Sequence, residues 1–494
     1  MLYNTTIKPF IGRERELELL DTLWDSPDAS LLIVYGRRRV GKTRLLTHWI
    51  NQKPRRALYW VAQPSSPQDQ LRSFSQALYQ FANPGLETPA SFSYASWEQA
   101  IEQIAALGRE GRTAVFIDEF TYLLANTPSI AGVFQNAWDH HLKNSAVFVA
   151  LCGSHLGMME RYTLAYQAPL YGRATAQLRL APLPYGATPH FFPNYDPASR
   201  VAVYALFGGI PAYWERFDPA LSVSDNIRDQ LLSPNNLMFA EPRLLLSDFI
   251  REPDNYISIL RAIANNYRTQ KEIAARSGLQ QGHVSKYVSA LTEAGFVERR
   301  TSVTASDQSR AGRYHIVDPY LRFYYRFLAD RVSQFSMGIT EPGLEEIKRH
   351  LLDYIGTNTW EELCREWALR AGANGTLPFM ADQVGSAWVK EAQMDVAGVN
   401  FMRKTLIAGE CKWSPKEVEA ETLRKLARTT AATVPGNGQW QVYWVVFARG
   451  GWDTGARKLA GDPSFNQSVG RNWQSQGIRL VDLAQLDKDL REWS

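Results

Sequence analysis

The chain has 494 residues, of which 45% are hydrophobic and 21% are charged, and its formal net charge is +4. At about 150 residues per domain, this length predicts roughly three folding units, and the composition is typical of a soluble globular protein. Three widely spaced cysteines exclude a disulfide framework, and the absence of both a secretion signal and an apolar run of about 18 residues predicts a reduced, cytoplasmic protein without a membrane span.

The first element is an apolar strand that runs into a glycine-bracketed basic loop. Residues 31–35 form the strand, and the loop after it has the pattern G-x-x-x-x-G-K-T before a helical segment. Its glycines let backbone N–H groups point at phosphate oxygens, and the helix adds its positive N-terminal end. This predicts a site for ATP and Mg²⁺, with Lys42 on the phosphates and Thr43 on the metal. The predicted nucleotide contacts are Gly36, Arg37, Arg38, Arg39, Val40, Gly41, Lys42, Thr43 and Arg44.

A second apolar strand, residues 114–117, ends in two acidic residues, Asp118 and Glu119. A nucleotide-binding α/β domain places its Walker B pair at such a position, because hydrolysis needs one carboxylate at the metal and another beside the attacking water. We therefore expect Asp118 to hold the Mg²⁺ shell and Glu119 to polarise the water. A solvated strand end is the alternative, and the phosphate loop upstream favours the catalytic interpretation.

Two more polar residues follow later strands. Ser154 ends the strand in "NSAVFVALCGS" and is predicted to sense the γ-phosphate, with a simple turn serine as the alternative. Arg173, in the loop "APLYGRAT", is predicted to stabilise transition-state charge in its own subunit or in a neighbour's. An ordinary surface arginine is the alternative there.

Taken in order, six segments resemble the archaeal-type ATPases of the AAA+ and signal-transduction NTPase group. They are "FIGRERELELL", "GRRRVGKT", "VFIDEF", "CGS", "PLYGR" and "GGIPAYW". The resemblance implies that the "IGRE" stretch, residues 11–14, lies near the adenine, with Ile11 and Gly12 as nucleotide contacts. It also implies an ATPase core over residues 1–195, a helical lid over residues 196–250, and a homo-oligomer in which Arg173 reaches a neighbour's nucleotide.

The middle of the chain, residues 251–330, has the pattern of a winged helix. Two helical segments, a turn at Gly278 and a third helix are followed by two strand-like pieces around a polar stretch. The residues of the third helix that could face a DNA major groove are Gln281, His283, Ser285 and Lys286. Residues 251–318 contain ten Lys and Arg against seven Asp and Glu, an excess too small to decide between DNA and a protein partner.

The last part of the chain carries a second group of reactive residue types. Asp395 lies in a strand-like run, and Glu410 and Lys412 are alternate residues of the next strand, so they share a face. An amphipathic helix upstream carries Glu361 and Glu362, either of which could complete the cluster. This ordered set resembles the PD-(D/E)XK restriction-endonuclease-like fold, and "GECKW" resembles an element of the C-terminal domain often fused to such ATPases.

The second resemblance implies metal-assisted hydrolysis of phosphodiesters. Asp395 and Glu410 would bind Mg²⁺, Lys412 would orient the nucleophile or neutralise charge, and Glu361 would help to position the metal. The residue before Asp395 is Met394, where the family pattern has a proline. The alternative is a nuclease-like fold kept for DNA binding or packing, with a buried Glu–Lys pair.

The sequence thus predicts an α/β protein with a P-loop NTPase core and helical lid, a winged-helix middle domain, and a restriction-endonuclease-like α/β domain over residues 331–494. Its expected function is ATP hydrolysis coupled to the binding and metal-dependent cleavage of DNA. The rival interpretation is a regulatory NTPase in which an inactive C-terminal domain and the winged helix hold a protein partner.

Overall fold

The computed structural model describes residues 9–247, 253–305, 311–436 and 438–493. The chain folds into two units. The first contains the described residues up to Leu183 together with Ile210–Ala212, and the second contains Pro184–Gly209 and the chain from Tyr213 onward. No helix in these described stretches is long and apolar enough to cross a membrane. The predicted domain boundaries near residues 195, 250 and 330 stay predictions.

A five-stranded parallel sheet lies at the centre of the first unit. Its strands are β1 (Ser30–Tyr35), β2 (Ala57–Val61), β3 (Thr113–Asp118), β4 (Val147–Gly153) and β5 (Ala176–Arg179), in the spatial order β2-β3-β4-β1-β5. The helices of this unit are α1 (Glu14–Asp25), α2 (Lys42–Gln52), α3 (Pro67–Ala82), α4 (Trp97–Glu110), α5 (Phe120–Asn126), α6 (Ile130–His140) and α7 (Leu156–Met159). The predicted P-loop ATPase core is confirmed.

Helices cover both faces of this sheet, so every residue of β3 and β4 is buried. On one face, Trp49 of α2 packs against Phe116 and Phe148. On the other face, α4 and α6 pack apolar side chains against the same strands. Because the strands are parallel, the carboxyl ends of β1, β3 and β4 meet at one edge, which brings the phosphate loop, the acidic pair and Ser154 together.

After β5 come helices α8 (Thr188–Phe191), α9 (Pro197–Phe207), α10 (Pro211–Trp214), α11 (Val223–Asn226) and α12 (Leu237–Ser247). Most of them fall within the stretch predicted as a lid. Their function as a lid stays a prediction.

The winged-helix region consists of α13 (Asp254–Ala264), α14 (Gln270–Ser277), α15 (Gln281–Glu293), β6 (Val297–Thr301) and β7 (Gly312–Ile316), with β6 and β7 antiparallel. A capping box between Thr269 and Glu272 starts α14, and Gly278 ends it with a left-handed φ of 72°. The apolar side of α15 is buried, whereas the predicted recognition residues Gln281, His283, Ser285 and Lys286 are exposed. The predicted winged helix is therefore confirmed; part of its wing, residues 306–310, lies outside the described residues.

The C-terminal domain is built on a mixed five-stranded sheet. Its strands are β8 (Gln383–Trp388), β9 (Gln393–Asn400), β10 (Thr405–Lys412), β11 (Trp440–Ala448) and β12 (Trp473–Asp482), in the order β12-β11-β10-β9-β8. Helices α16 (Pro319–Phe323), α17 (Val332–Ser336), α18 (Glu341–Ile355), α19 (Glu361–Ala373), α20 (Ala420–Thr433), α21 (Thr454–Ala460), α22 (Pro463–Asn466) and α23 (Leu483–Glu492) complete it. Strands β8, β9 and β10 pair antiparallel, and β10, β11 and β12 pair parallel. Trp360 and Trp444 are fully buried, as expected for core residues.

Within the second unit, the segment after β6 lies along the edge strand β8. The backbone N–H of Val303 donates to the carbonyl of Ser386 (3.1 Å), and the N–H of Trp388 donates to Ser302 Oγ (3.1 Å). A buried ion pair of Arg200 with Asp487 (2.7 Å) joins α9 to α23. The winged helix, the helices after β5 and the C-terminal domain are thus connected parts of one unit.

Candidate functional site

The phosphate loop between β1 and α2 depends on two glycines. A Cβ at Gly36 would lie 2.5 Å from the carbonyl oxygen of Leu180, and Gly41 has a left-handed φ of 101° that other residues rarely adopt. Arg39, between them, also has a left-handed φ of 68°. These conformations turn the loop tightly around the start of α2, as the G-x-x-x-x-G-K-T pattern predicts.

Lys42 is buried in this loop, and its ammonium donates to the carbonyls of Gly36 (2.9 Å) and Arg37 (3.1 Å). Burial lowers the pKa of Lys42 from its ordinary value, and the nearby Cys152, Glu119 and Asp118 oppose that shift. The ammonium is therefore desolvated and close to two carboxylates. Such a cation is well placed to interact with the negative oxygens of a phosphate.

Asp118 is buried at the end of β3 and accepts hydrogen bonds from three directions. Thr43 Oγ1 donates to Asp118 Oδ2 (2.6 Å), the Tyr59 hydroxyl donates to the same oxygen, and the backbone N–H of Glu119 donates to Oδ1 (2.8 Å). Burial and then the charge of Asp118 raise the pKa of Tyr59, which keeps the hydroxyl protonated as a donor. The structure brings together Thr43 and Asp118, the two predicted metal ligands of this site.

Glu119 has a left-handed backbone with φ 51°, a conformation that costs a non-glycine residue about 1–3 kcal/mol. In this conformation its Oε1 accepts a hydrogen bond from Ser154 Oγ (2.9 Å). The structure thus places Ser154 beside the predicted water-polarising carboxylate. Their roles in hydrolysis and γ-phosphate sensing stay predictions.

Arg173, in the loop after α7 of the first unit, forms an ion pair. Its guanidinium donates to Asp139 Oδ2 (2.8 Å) and to the carbonyl of Pro169 (3.1 Å). Its predicted function and the predicted oligomer stay predictions.

The opening segment packs beside the phosphate loop. Gly12 has a left-handed φ of 68°, and Arg13 donates to the carbonyls of Val40 (3.3 Å) and Ala181 (2.7 Å). Phe10, next to Ile11, stacks on the His48 ring with centroids 3.9 Å apart. Arg44 Nη2, from α2, donates to the carbonyl of Pro9 (3.0 Å). Ile11 and Gly12 thus lie near the loop, and their contact with adenine stays a prediction.

In the C-terminal domain, Asp395 of β9 lies beside Glu410 and Lys412 of β10. Lys412 Nζ donates to Glu410 Oε1 (2.7 Å), and the backbone N–H of Cys411 donates to Asp395 Oδ2 (3.0 Å). Burial and then the negative charge of Glu410 raise the pKa of Asp395 to about 6. A Cβ at Gly409 would lie 2.9 Å from Val396 Cβ, so the close approach of the two strands requires a glycine.

Glu361, at the start of α19, completes this cluster. Arg365 connects it to the sheet, because the guanidinium donates to Glu361 Oε2 (2.5 Å) and to the backbone carbonyl of Asp395 (2.9 Å). Burial and then the charge of Asp395 raise the pKa of Glu361 to about 8. Glu362 instead accepts from Arg300 (3.1 Å) and Arg322 (3.2 Å). Of the two glutamates left open by the sequence, the structure places Glu361 beside the strands.

A cavity of about 1070 Å³ opens in front of these residues. Its lining includes Glu361, Asp395, Glu410, Lys412, Trp413, Lys425 and Arg428. Basic and acidic groups are thus mixed on its wall. In the described parts of the chain, no group of three or more His, Cys, Asp or Glu side chains is arranged to hold a metal ion alone.

Several site residues carry no recognisable sequence pattern. Tyr59 lies on β2, next to β3, and Arg365 is one of two arginines on α19. The first depends on the pairing of β2 with β3, which no local sequence pattern indicates. The helical spacing of four residues from Glu361 could have indicated the second.

Three family models match successive parts of the chain. A model described as an ATPase domain predominantly from Archaea matches residues 10–217. One described as the MarR family matches residues 253–305, and one described as Archaea bacterial proteins of unknown function matches residues 324–423. The first contains the phosphate loop and the acidic pair, and the third contains the whole cluster around Asp395.

One relative matches most of the chain, and another matches a short part of it. The uncharacterized protein MJECL04 of Methanocaldococcus jannaschii is 30% identical over 419 residues, which are 85% of this chain and 90% of that protein. The uncharacterized ATP-binding protein MJ0423 of the same organism is 49% identical over 49 residues, 10% of this chain and 83% of that protein.

Two solved structures show more distant similarity. The Walker-type ATPase paby2304 of Pyrococcus abyssi has a TM-score of 0.47 at 18% identity and covers 64% of this chain and 96% of its own. The ORC2 protein of Aeropyrum pernix has a TM-score of 0.41 at 13% identity, and the match covers 69% of this chain and 98% of the ORC2 chain. Similarity at this level has no bearing on ligand or reaction.

Proposed function

The chain belongs to the same family as the uncharacterized protein MJECL04 of Methanocaldococcus jannaschii, and from this premise we propose that its ATPase domain controls a DNA-binding and DNA-cleaving second unit. The observation that carries the proposal is the convergence of Asp395, Glu410, Lys412 and Glu361 at one cavity. The proposal keeps the division into a core (1–195), a lid (196–250), a winged helix (251–330) and a nuclease-like domain (331–494).

ATP hydrolysis is assigned to the edge of the parallel sheet. The Thr43 hydroxyl and the Asp118 carboxylate, 2.6 Å apart, are oxygen donors of the kind that Mg²⁺ takes together with phosphate and water. When bound, the metal supplies charge neutralisation for the phosphates. Lys42 then turns from its backbone carbonyls to the phosphate oxygens, and Glu119, oriented by Ser154, accepts a proton from the attacking water.

Phosphodiester cleavage is assigned to the cavity of the C-terminal domain. Asp395 and Glu410 offer hard oxygen ligands, and Mg²⁺ commonly binds with one or two carboxylates and completes its shell with substrate phosphate and water. A bound cation supplies Lewis-acid activation of water. Lys412 would balance the charge of the scissile phosphate, and Glu361 would help to position the cation beside Asp395.

DNA recognition is assigned to α15 of the winged helix. Gln281, His283, Ser285 and Lys286 are exposed on this helix, which is the arrangement that lets a recognition helix read a major groove. Because the winged helix and the C-terminal domain belong to one unit, a bound duplex can be presented to the cavity. The ATPase domain would act on that unit through its own conformational change.

The test is a cleavage assay on linear, circular and single-stranded DNA, with Mg²⁺, Mn²⁺ or EDTA, and with or without ATP. We expect cation-dependent cleavage by the wild type, and a loss of at least about 100-fold in Asp395→Asn and Lys412→Ala. Glu391→Gln is the matched control, because Glu391 is an exposed carboxylate that lines the same cavity. Its cleavage should stay within about twofold of wild type.

One observation favours the second candidate, a regulatory NTPase that binds a protein partner. Glu410 Oε1 lies 2.7 Å from Lys412 Nζ and 3.7 Å from Lys425 Nζ, so two internal cations surround a ligand that a metal would need. If no DNA is cut under any condition while ATP is hydrolysed, this candidate replaces the nuclease.

A further inference from the structure

A second, smaller cavity lies in the same unit, between the winged helix and the C-terminal domain. Its volume is about 360 Å³, enough for a single nucleotide unit, and we call it the arginine pocket. Its charged and aromatic lining residues are Arg268, Arg300, Arg313, His315, Glu361, Glu362, Arg365 and Trp388. The winged helix supplies the first four, and the C-terminal domain supplies the others.

Three arginines at the pocket are neutralised by glutamates. Arg300 pairs with Glu298 and Glu362, and Arg365 pairs with Glu361. Arg322, which is buried and does not line the pocket, also pairs with Glu362 (3.2 Å). These pairs account for the carboxylates of the pocket wall, and the pair of Arg300 with Glu362 joins the winged helix to the C-terminal domain.

Arg268 and Arg313 are different. Arg268 donates to the side-chain oxygens of Asn266 (2.8 Å) and Asn358 (3.4 Å), which are neutral. Arg313 donates to Gln393 Oε1 (2.8 Å), and its guanidinium lies 4.4 Å over the Trp388 ring. Among the described residues, no carboxylate forms an ion pair with either guanidinium.

Four arginines but only two glutamates are among the described residues that line the pocket, so positive charge is in excess in this half-buried space. The charges of Glu272 and Glu361 act on Arg313 without forming an ion pair with it, and they oppose the lowering of its pKa by burial. Burial lowers the pKa of Arg268 to about 10, Glu361 opposes the shift, and the charges of Arg322, Arg300 and Arg313 add to it. His315 stays neutral there, because burial and the charge of Arg268 lower its pKa to about 2. An anion is the ligand that would remove this electrostatic cost.

We propose that the arginine pocket binds a phosphate group of a DNA strand, with Arg268 and Arg313 as its ligands. Planar guanidinium groups suit phosphate oxygens, and the Trp388 ring that lines the pocket holds the Arg313 guanidinium in place by a cation–π contact. Thr357, Glu361 and Gln393 line both this pocket and the larger cavity with Asp395. A strand held here thus continues toward that cavity.

This inference deepens the proposed function, because it names how the strand is held beside the cluster. The test measures binding of a labelled duplex and its single strand to the full chain in EDTA. We expect Arg268→Gln and Arg313→Gln to weaken binding at least tenfold and to reduce the salt dependence by about one phosphate contact each. Arg299→Gln is the matched control, since Arg299 is exposed on β6 next to Arg300.

A second measurement needs no variant and covers the case in which the substitutions unfold the domain. Phenylglyoxal modifies accessible arginines, and mass spectrometry reports the modification of Arg268 and Arg313 in the wild type. We expect the oligonucleotide to protect both residues, and inorganic phosphate or ATP at the same concentration to protect them less.

The outcomes separate the pocket from the proposed function. If the wild type binds no DNA, the proposed function and the pocket assignment both fail. If it binds DNA while the two folded variants bind equally well, only the pocket assignment fails. Protection by ATP or inorganic phosphate without protection by the oligonucleotide would assign the pocket to a free phosphate ligand and overturn the DNA assignment.

Discussion

The nucleotide site of the first unit is held by main-chain geometry, whereas the two cavities of the second unit are held by paired charges. In the first unit, Lys42 donates to backbone carbonyls. Asp118 accepts hydrogen bonds from the Thr43 hydroxyl, the Tyr59 phenol and the backbone N–H of Glu119. In the second, Glu361 and Glu362 are fixed by arginines. Hydrogen bonds to neutral groups persist over a wide pH range, but charge pairs depend on pH and on their partners, so the two regions should respond differently to the same perturbations.

The largest expected effect lies in the first unit. Lys42→Ala removes the cation from the phosphate loop and should reduce ATP turnover by at least about 100-fold, measured as phosphate release. Lys53→Ala is the control, because Lys53 is an exposed lysine just after α2 that pairs with Asp21. Since the backbone and not Lys42 sets the loop geometry, the melting temperature should change little. Full turnover in Lys42→Ala would refute the assignment.

His315 tests the charge network of the second unit. It is the only histidine among the described residues that line the arginine pocket. His315 has a pKa of about 2 in the folded chain and 6.5 ordinarily, with Arg268, Arg300, Arg322 and Glu362 around it. Below pH 6.5 the folded state therefore binds fewer protons than the unfolded state. The contribution of neutral His315 to the free energy of unfolding is fully present above pH 6.5 and falls by up to about 1.4 kcal/mol for each pH unit below that value. His315→Gln should flatten this loss in denaturant titrations between pH 7.5 and pH 5, taken in steps of about one unit. An unchanged slope would contradict the prediction.

A third perturbation removes one charge from the same network. Burial alone would raise the pKa of Glu362, but Arg322 and Arg300 lower it to about 2. The stability from this pair is present above the ordinary value of 4.5 and is lost toward pH 2. At pH 7, Glu362→Gln should lower the free energy of unfolding by on the order of 2 kcal/mol, because it leaves Arg322 uncompensated.

The control for this change is Glu366→Gln, one turn further along α19. Glu366 pairs with Arg370, whose side chain is 31% exposed against 6% for Arg322, and the loss of this pair should cost about 0.5 kcal/mol. If both substitutions lowered the free energy of unfolding by the same amount, Glu362 would contribute no more to stability than an exposed charge does.

The smallest effect is expected at Tyr59 in the first unit. Tyr59→Phe removes one of three donors to Asp118 and should destabilise the unit by about 1–2 kcal/mol in thermal unfolding. ATP turnover should change by less than tenfold, since Thr43 and Glu119 still orient the carboxylate. A loss as large as that of Lys42→Ala would show that Tyr59 has a direct role in the reaction.

Sequence and structure agree most closely where a site is contiguous in the chain. The phosphate loop and the acidic pair have fixed spacing and follow apolar strands, so the pattern alone predicted both their positions and their proximity. The cluster of Asp395, Glu410 and Lys412 was also predicted, because neighbouring strands and alternate residues impose that geometry.

What the sequence did not predict depends on distant segments. A π-helical turn, Gly356–Trp360, precedes α19 and shifts its phase, so the choice between Glu361 and Glu362 required the packed structure. Arg268 and Arg313 are far apart in the sequence but line one pocket, and the absence, among the described residues, of an ion pair to either of them is visible only in three dimensions. Tyr59 is set by the order of the strands, which no local pattern encodes.

The segment at Ser302 and Val303 covers part of the outer strand β8, and this decides where a fragment of the C-terminal domain can begin without aggregating. β8 is an outer strand, and an outer strand with free backbone groups is a template for intermolecular pairing. The two hydrogen bonds to Ser386 and Trp388 occupy part of that strand. A fragment that begins at residue 331 lacks this cover and should self-associate, whereas one that begins at residue 253 should remain monodisperse in size-exclusion chromatography. The segment after β6 thus protects the C-terminal domain from aggregation through β8.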